Sequence, residues 1–191
     1  LSGGLDSSLV AGLSKKVSDS KGLKSPDVWT VAGDENNPDM VAAVRVAEHY
    51  GLNHHKKIID PEKFWHTLPN FIWSGEDLDI SVLFWQPLFE EMSKSVKVGI
   101  CGQGADELHA GYSRYKDLNK HSKLIDGRLS DFGELSIEKE FIGPGQPWIN
   151  SNFSAQSNFT SVNNTLQFEL DRGQLTNFQL RLGDRHSMAF G

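Results

Sequence analysis

The chain has a single cysteine, Cys101, among 191 residues, which excludes an internal disulfide and fits a reducing cytosol. Long hydrophobic runs are missing as well. Ile80 to Trp85, for example, is broken by Ser81 and is far too short to span a bilayer. No segment has the pattern of a secretory signal, so a cytoplasmic protein with no membrane partner is expected. Positive charge is scarce: 19 basic residues face 25 acidic ones, a formal net charge of −6. That leaves no basic footprint, and nucleic acid is not expected as a partner. Internal repeats are absent. With 38% hydrophobic and 23% charged residues, the composition is that of ordinary globular protein. The length favours one domain with a real core.

Ser2-Gly3-Gly4-Leu5-Asp6-Ser7-Ser8 is the most informative segment present. Two glycines let the backbone approach a ligand where a β-carbon would block it. The apolar run Leu9-Val10-Ala11-Gly12-Leu13 reads as the first turns of a helix. A glycine turn feeding a helix N-terminus offers unpaired N–H groups and a partial positive charge, which suits a polyphosphate. No lysine follows the glycines, so this is not the G-x-x-x-x-G-K-[ST] loop of common ATPases. Asp6 stands inside the loop instead. A carboxylate beside phosphates repels them unless Mg²⁺ bridges the two, so the loop implies that metal.

Further along, the pattern alternates. A helix is predicted over residues 7–17 and a short strand over 28–32. Pro38 opens a second helix with Val41, Val44, Ala47 and Tyr50 on one stripe and Gly51 as its stop. Residues 55–59 suggest another strand, Asp60-Pro61 starts an aromatic-bearing helix, and Asp79 is read as the cap of a helix carrying Val82, Leu83, Trp85 and Phe89. Val96-Lys97-Val98-Gly99-Ile100-Cys101 is the clearest predicted strand, with Cys101 buried at its end. Residues 143–165 read as a long Gly/Pro then Asn/Ser/Thr-rich loop, whose three N-x-[ST] sequons are not expected to be used. Residues 166–189 return to helix, with Leu175, Phe178 and Leu182 on one face.

This alternation argues for an α/β fold, a doubly wound parallel sheet with a helical C-terminal part. A nucleotide-binding portion is expected over 1–119 and a loop and helical portion over 120–191, together one partial domain. Because the glycine loop begins at residue 2 with only Leu1 before it, the first strand is read as truncated and the chain as an internal piece of a longer protein. Paired His54 and His55 have no cysteine or carboxylate at metal-ligand spacing and are read as half-buried structural residues.

S-G-G-L-D-S-S resembles the pyrophosphate loop of the N-type ATP pyrophosphatase superfamily. Gly102-Gln103-Gly104-Ala105-Asp106-Glu107-Leu108, followed by Ala110-Gly111-Tyr112-Ser113-Arg114-Tyr115, is similar to the G-E-G-A-D-E-L-F-x-G-Y pattern of asparagine synthetases within that group. Asp184-Arg185-His186-Ser187-Met188-Ala189 resembles the same family's D-R-x-S-M-A. Three ordered motifs spanning nearly the whole chain identify it as resembling the ATP-dependent synthetase domain of that family.

The resemblance implies roles position by position. Ser2, Gly3, Gly4, Asp6 and Ser7 would hold the β- and γ-phosphates of ATP, which leave as pyrophosphate. Asp6 and Asp106 would share Mg²⁺. Adenosine would lie against Val31 or Ala32 and the backbone at Cys101 and Gly102. The side-chain carboxylate of aspartate would attack the α-phosphorus, giving β-aspartyl-AMP, and ammonia would displace AMP. Glu107 either touches substrate or braces its loop. Asp184 and Arg185 either line the amino-acid site or form an ion pair of the helices.

One departure bears on the chemistry. Gln103 stands where the family carries a glutamate thought to deprotonate the ammonia, and an amide cannot accept that proton. It can still orient a nucleophile. His109 replaces an aromatic of the motif. A glutaminase domain or subunit outside these residues is left open as a partner. Two rival readings follow: a synthetase using another acceptor or an internal amine, and a nucleotide-binding module without turnover.

Overall fold

The computed structural model describes residues 1–76, 83–123, 161–171 and 173–191. Its contacts divide the chain into two compact units, residues 1–103 with 179–191, and residues 104–178.

The first unit opens with helix α1, Leu5–Ser20, followed by strand β1, Asp27–Ala32, helix α2, Pro38–Tyr50, and strand β2, Asn53–Ile58. The two strands pair in parallel, from Asp27 opposite Asn53 to Ala32 opposite Ile58. The fold is therefore α/β with a two-stranded parallel sheet among the described residues. On the other edge of β1, the Leu1 amino group donates to the Trp29 carbonyl at 2.6 Å, and the Leu1 carbonyl accepts from Thr30 Oγ1 at 2.6 Å. Thr30 has then spent its proton, so at 2.8 Å it accepts from the Nε2–H of His54.

Local chemistry explains the boundaries of α2. The Asn37 side chain accepts from the Asp39 and Met40 amides at 2.9 and 3.4 Å, Pro38 takes the first helical position, and Gly51 ends the helix in the left-handed region at φ 61°. Its buried stripe is Met40, Ala43 and Ala47. That is a rotation from the predicted stripe: Val41 and Val44 are half-buried, and Tyr50 is exposed. The reason is the neighbour. Ala42 and the Tyr50 ring lie against Gly3 and Gly12 of the first segment, and close packing there sets the rotation of α2.

Helix α1 runs longer than predicted and turns Leu5, Leu9, Leu13 and Val17 to solvent, with Ala11 its one buried residue. After β2 come helix α3, Pro61–Phe64, a 3₁₀ turn Trp65–Thr67, helix α4, Leu68–Gly75, and helix α5, Trp85–Ser93. Asp60 caps α3 by accepting from the Glu62 amide at 3.0 Å. Asp79 and Val82 lie outside the described residues.

The predicted strand over 96–101 is not formed. Val98 and Ile100 are 80% and 76% exposed, and Cys101 is exposed rather than buried. Apolar β-branched residues favour extension, but a strand exists only where its N–H and C=O groups find a partner backbone, and none pairs with this segment among the described residues.

The second unit contains helix α6, Ala105–His109, a 3₁₀ turn Ser113–Lys116, helical residues 118–123 and helix α7, Val162–Asp171. Beyond it lie a π-helical turn, Leu175–Leu180, and helix α8, Arg181–Met188. The residues expected to return to helix, 166–189, are thus helical on either side of an interruption at Gly173. At the break the Gly173 amide returns to the Phe168 carbonyl at 2.7 Å and the Gln174 amide donates to Glu169 Oε2 at 2.8 Å. The loop predicted over 143–165 lies outside the described residues up to position 160.

At the start of the sheet His55 stacks on Trp29, with centroids 4.9 Å apart, and its Nε2–H donates to Asp27 Oδ1 at 2.8 Å. That hydrogen bond, more than the partial burial that opposes it, holds the Asp27 carboxyl below its ordinary 3.8. A native pKa below the unfolded one contributes stability that is complete above pH 3.8 and disappears as pH falls through the depressed value. Asp27→Asn should therefore melt lower than the parent chain at pH 7, with the gap closing as both are acidified. A gap that stays constant down to pH 2, followed by circular dichroism, would contradict this.

Candidate functional site

The glycine turn of residues 2–4 feeds α1, and its hydrogen bonds are local. Ser2 Oγ lies 3.0 Å from Ser7 Oγ and accepts from the Gly4 amide at 3.3 Å, while Ser7 Oγ donates to the Gly4 carbonyl at 3.2 Å. The first intrahelical bond runs from the Ser8 amide to the Gly4 carbonyl at 3.0 Å. The amides of Leu5, Asp6 and Ser7 therefore precede the helical ladder, at the positive end of a sixteen-residue helix.

Backbone approach fixes this turn from two sides. Gly3 has φ +75°, and a β-carbon there would overlap Ala42 of α2. A β-carbon on Gly102 would lie 2.9 Å from Asp6 Cβ and 3.0 Å from the Ser7 nitrogen. Gly4 differs: only Ser2 Oγ, at 3.3 Å, stands near its would-be β-carbon. Two hydroxyls, open first-turn amides and one carboxylate thus share the start of α1. Asp6 and Ser7 are half-buried, and Ser2 and Gly4 are exposed.

Of the other residues singled out from the sequence, Val31 is half-buried near the C-terminal end of β1, beside buried Ala32. Cys101 and Gln103 are exposed. Ser2, Gly3, Gly4, Asp6, Ser7, Val31, Cys101, Gly102 and Gln103 all belong to the first unit, whereas Asp106 and Glu107 belong to the second.

In the second unit Gly104, buried with φ +90°, opens α6, and the Leu108 amide returns to its carbonyl at 3.0 Å. Asp106 lies half-buried in the first turn, against Gly111, where a β-carbon would overlap its carboxylate. Glu107 is 1% exposed and accepts from the Tyr112 hydroxyl at 2.9 Å. Of the two roles open to Glu107, this geometry favours bracing the loop. Burial of the phenol, ahead of its charged neighbours, pushes Tyr115 up to about 12.

The motif near the chain's end has a packing role in the first unit. His186 is fully buried, stacks on Phe71 with centroids 4.3 Å apart, and accepts at Nδ1 from Gln86 Nε2 at 2.8 Å. Arg185 Nη1 donates to the Gly75 carbonyl at 2.7 Å, at the end of α4, and its other nitrogen lies 3.6 Å from Glu76. Asp184 is exposed.

Sequence reasoning missed Glu169, which is 2% exposed in α7. No local signal marks it: Thr165 and Glu169, four apart, form the buried stripe of α7, yet neither is apolar, so periodicity does not show that face as inward.

Among the described residues no three of His, Cys, Asp and Glu converge as a metal cage. Mg²⁺ does not need one, since it is commonly held by one or two carboxylates together with substrate phosphates. The donor set at α1 fits such an ion with a polyphosphate. No described helix is long and apolar enough to cross a membrane.

These features define an α/β chain with a glycine turn and an acid at the start of a helix. The sequence profile of the family described as asparagine synthase matches residues 1–189, and the chain belongs to that family. It is 37% identical over 118 residues to an asparagine synthetase [glutamine-hydrolyzing] of Gallus gallus, covering 59% of this chain and 21% of that protein. A Homo sapiens protein of the same description is 35% identical over 118 residues, again 59% and 21%. Asparagine synthetase [glutamine-hydrolyzing] 1 of Bacillus subtilis is 32% identical over 119 residues, 61% and 18%. The chain thus spans about a fifth of the length of these relatives.

The Gly102 contact is a direct structural test of the turn. Gly102→Ala should destabilise the chain by about 1–3 kcal/mol, because backbone atoms of α1 must move to admit the methyl group. Unchanged denaturation midpoints in urea would show that this approach is not maintained in solution.

Proposed function

We propose that the chain forms the ATP-binding synthetase part of an AMP-forming carbon–nitrogen ligase that makes asparagine from aspartate and ammonia. The observation that carries this reading is the glycine turn into α1, with Asp6 in its first turn and Gly102 drawn against it. Family membership and the names of the relatives support it. In this reading the fold is a doubly wound sheet and the protein is cytoplasmic, as its single cysteine suggests.

Ser2, Gly3, Gly4 and Ser7 bind the β- and γ-phosphates through hydroxyls and first-turn amides. Asp6 and Asp106 would hold Mg²⁺, and the ion would supply positive charge against that of the departing pyrophosphate. Val31 and the backbone of Cys101 and Gly102 receive adenosine, and Glu107 stiffens the loop bearing Asp106. The carboxylate of aspartate is adenylated, and Gln103 orients the nucleophile beside the acyl-adenylate by hydrogen bonding. A glutaminase domain or subunit would supply ammonia in the whole protein. Gln103 also favours a second reading, in which the same adenylation serves another acceptor or an internal amine, because an amide cannot act as the proton acceptor.

In the full-length protein, Asp6→Asn and Asp106→Asn should each cut ATP–pyrophosphate exchange by about two or more orders of magnitude. Melting temperatures should stay near the parent value. Near-native exchange in both would overturn the metal assignment.

Gln103→Ala should slow amide formation about ten- to a hundredfold, the cost of one lost orienting hydrogen bond of roughly 1–3 kcal/mol. Exchange of labelled pyrophosphate into ATP should be nearly unchanged. Gln103→Glu should keep or raise ammonia-dependent asparagine formation. If it adenylates aspartate yet yields no asparagine, the second reading takes first place.

A further inference from the structure

We propose that Glu169 is a positioning residue for the loop that carries Asp106 and Glu107, acting through Arg114 and Tyr112. Nothing in the motifs marks it, and it lies far along the chain from that loop. The inference rests on the reading of the Asp106 loop given above and extends it to residues that touch no substrate.

The chain of contacts is continuous within the second unit. Glu169 Oε1 accepts from Arg114 Nη2 at 3.0 Å and from the Tyr115 hydroxyl at 3.3 Å, with His121 Nε2 at 3.6 Å. Its other oxygen accepts from the Gln174 amide at 2.8 Å. The guanidinium, fixed by this carboxylate, lies 3.9 Å over the Tyr112 ring. Tyr112 in turn donates to Glu107 at 2.9 Å. One anion, one cation, one aromatic ring and one buried acid thus run in series from α7 to the first turn of α6.

Each link has a reason to be rigid. A carboxylate as buried as Glu169 is costly to desolvate unless its lone pairs are met, and here both oxygens are engaged. Arg114 stays charged: burial opposes its charge, but the bond to Tyr115 and the field of Glu169 outweigh it and raise its pKa. A planar cation over a ring restricts that ring's tilt, which a lysine ammonium would not do equally well. The Tyr112 hydroxyl therefore meets Glu107 from one direction. Glu107 neighbours Asp106, so its placement sets the backbone that presents the Asp106 carboxylate.

A residue that merely supported folding would lower stability without altering the loop of the folded protein. Amide hydrogen exchange of residues 104–111 in full-length protein separates the two, because it reads the loop whether or not catalysis occurs. Glu169→Gln, which keeps shape and removes charge, and Tyr112→Phe, which removes one oxygen, should each speed that exchange about fivefold or more. Exchange in α2 should be unchanged. Glu169→Asp should recover part of the protection.

In the functional arm, both variants should lower the kcat of ATP–pyrophosphate exchange about tenfold with little change in KM for ATP. The double variant should be no worse than the worse single one, since they act in series. Parent-like loop exchange in Tyr112→Phe overturns the proposal even if Glu169→Gln fails to fold. Faster loop exchange with unchanged kcat overturns it too. If Asp106→Asn keeps full turnover, the role given to Asp106 fails instead, and the hydrogen-exchange result still decides whether Glu169 positions the loop.

Discussion

Close backbone approach around the start of α1 is the constraint on which the first unit depends. Gly3 and Gly102 reach the same helix start, one meeting Ala42 and the other meeting Asp6 and Ser7, each at a distance that leaves no room for a methyl group. Burial without side chains gives little hydrophobic gain per residue. Its return is geometric, because two backbone segments held against a helix end leave its first amides and the Ser2–Ser7 hydroxyl pair in one fixed relation. Gly12, against the Tyr50 ring, extends the same close packing along α1 and α2.

Polar burial does comparable work elsewhere. In the first unit His186 is sandwiched on Phe71 and tied to Gln86, so a titratable ring serves as packing for the helix that follows the π turn. In the second unit Glu169 gathers Arg114, Tyr115 and the Gln174 amide. Such networks give less net stability than apolar replacements of equal volume would. They restrict the number of ways the elements can fit, because misplacing one partner strands a desolvated group.

Reading the sequence located what is governed by neighbours along the chain. The helix after the two glycines, read from residue 7 and formed from residue 5, the Pro38 start and Gly51 stop of α2, and strands near 28–32 and 55–59 were all legible from local residues and periodicity. The errors share one cause. Residues 96–101 have every local mark of a strand yet form none, and Cys101 is exposed, since pairing depends on a partner that periodicity cannot report. The stripe of α2 is rotated because Gly3 and Gly12 accept Ala42 and Tyr50, a matter of steric fit between segments. The break near Gly173 is held by a carboxylate that the helical pattern treats as an ordinary surface residue.

By itself, then, the sequence determined the residue types at the candidate site and their local order: two glycines and an acid leading into a helix, and an amide at position 103. These follow from φ/ψ restriction and from hydrogen bonds reaching three or four residues, which any window of the chain contains. Tertiary structure alone decided that Gly102 presses on Asp6, that Glu107 is buried under the Tyr112 hydroxyl, and that Glu169, 55 positions beyond Arg114, supplies its counter-charge. Desolvation and contact are properties of the space around an atom. That space is filled by residues distant in sequence, so those roles became readable only once the chain had folded.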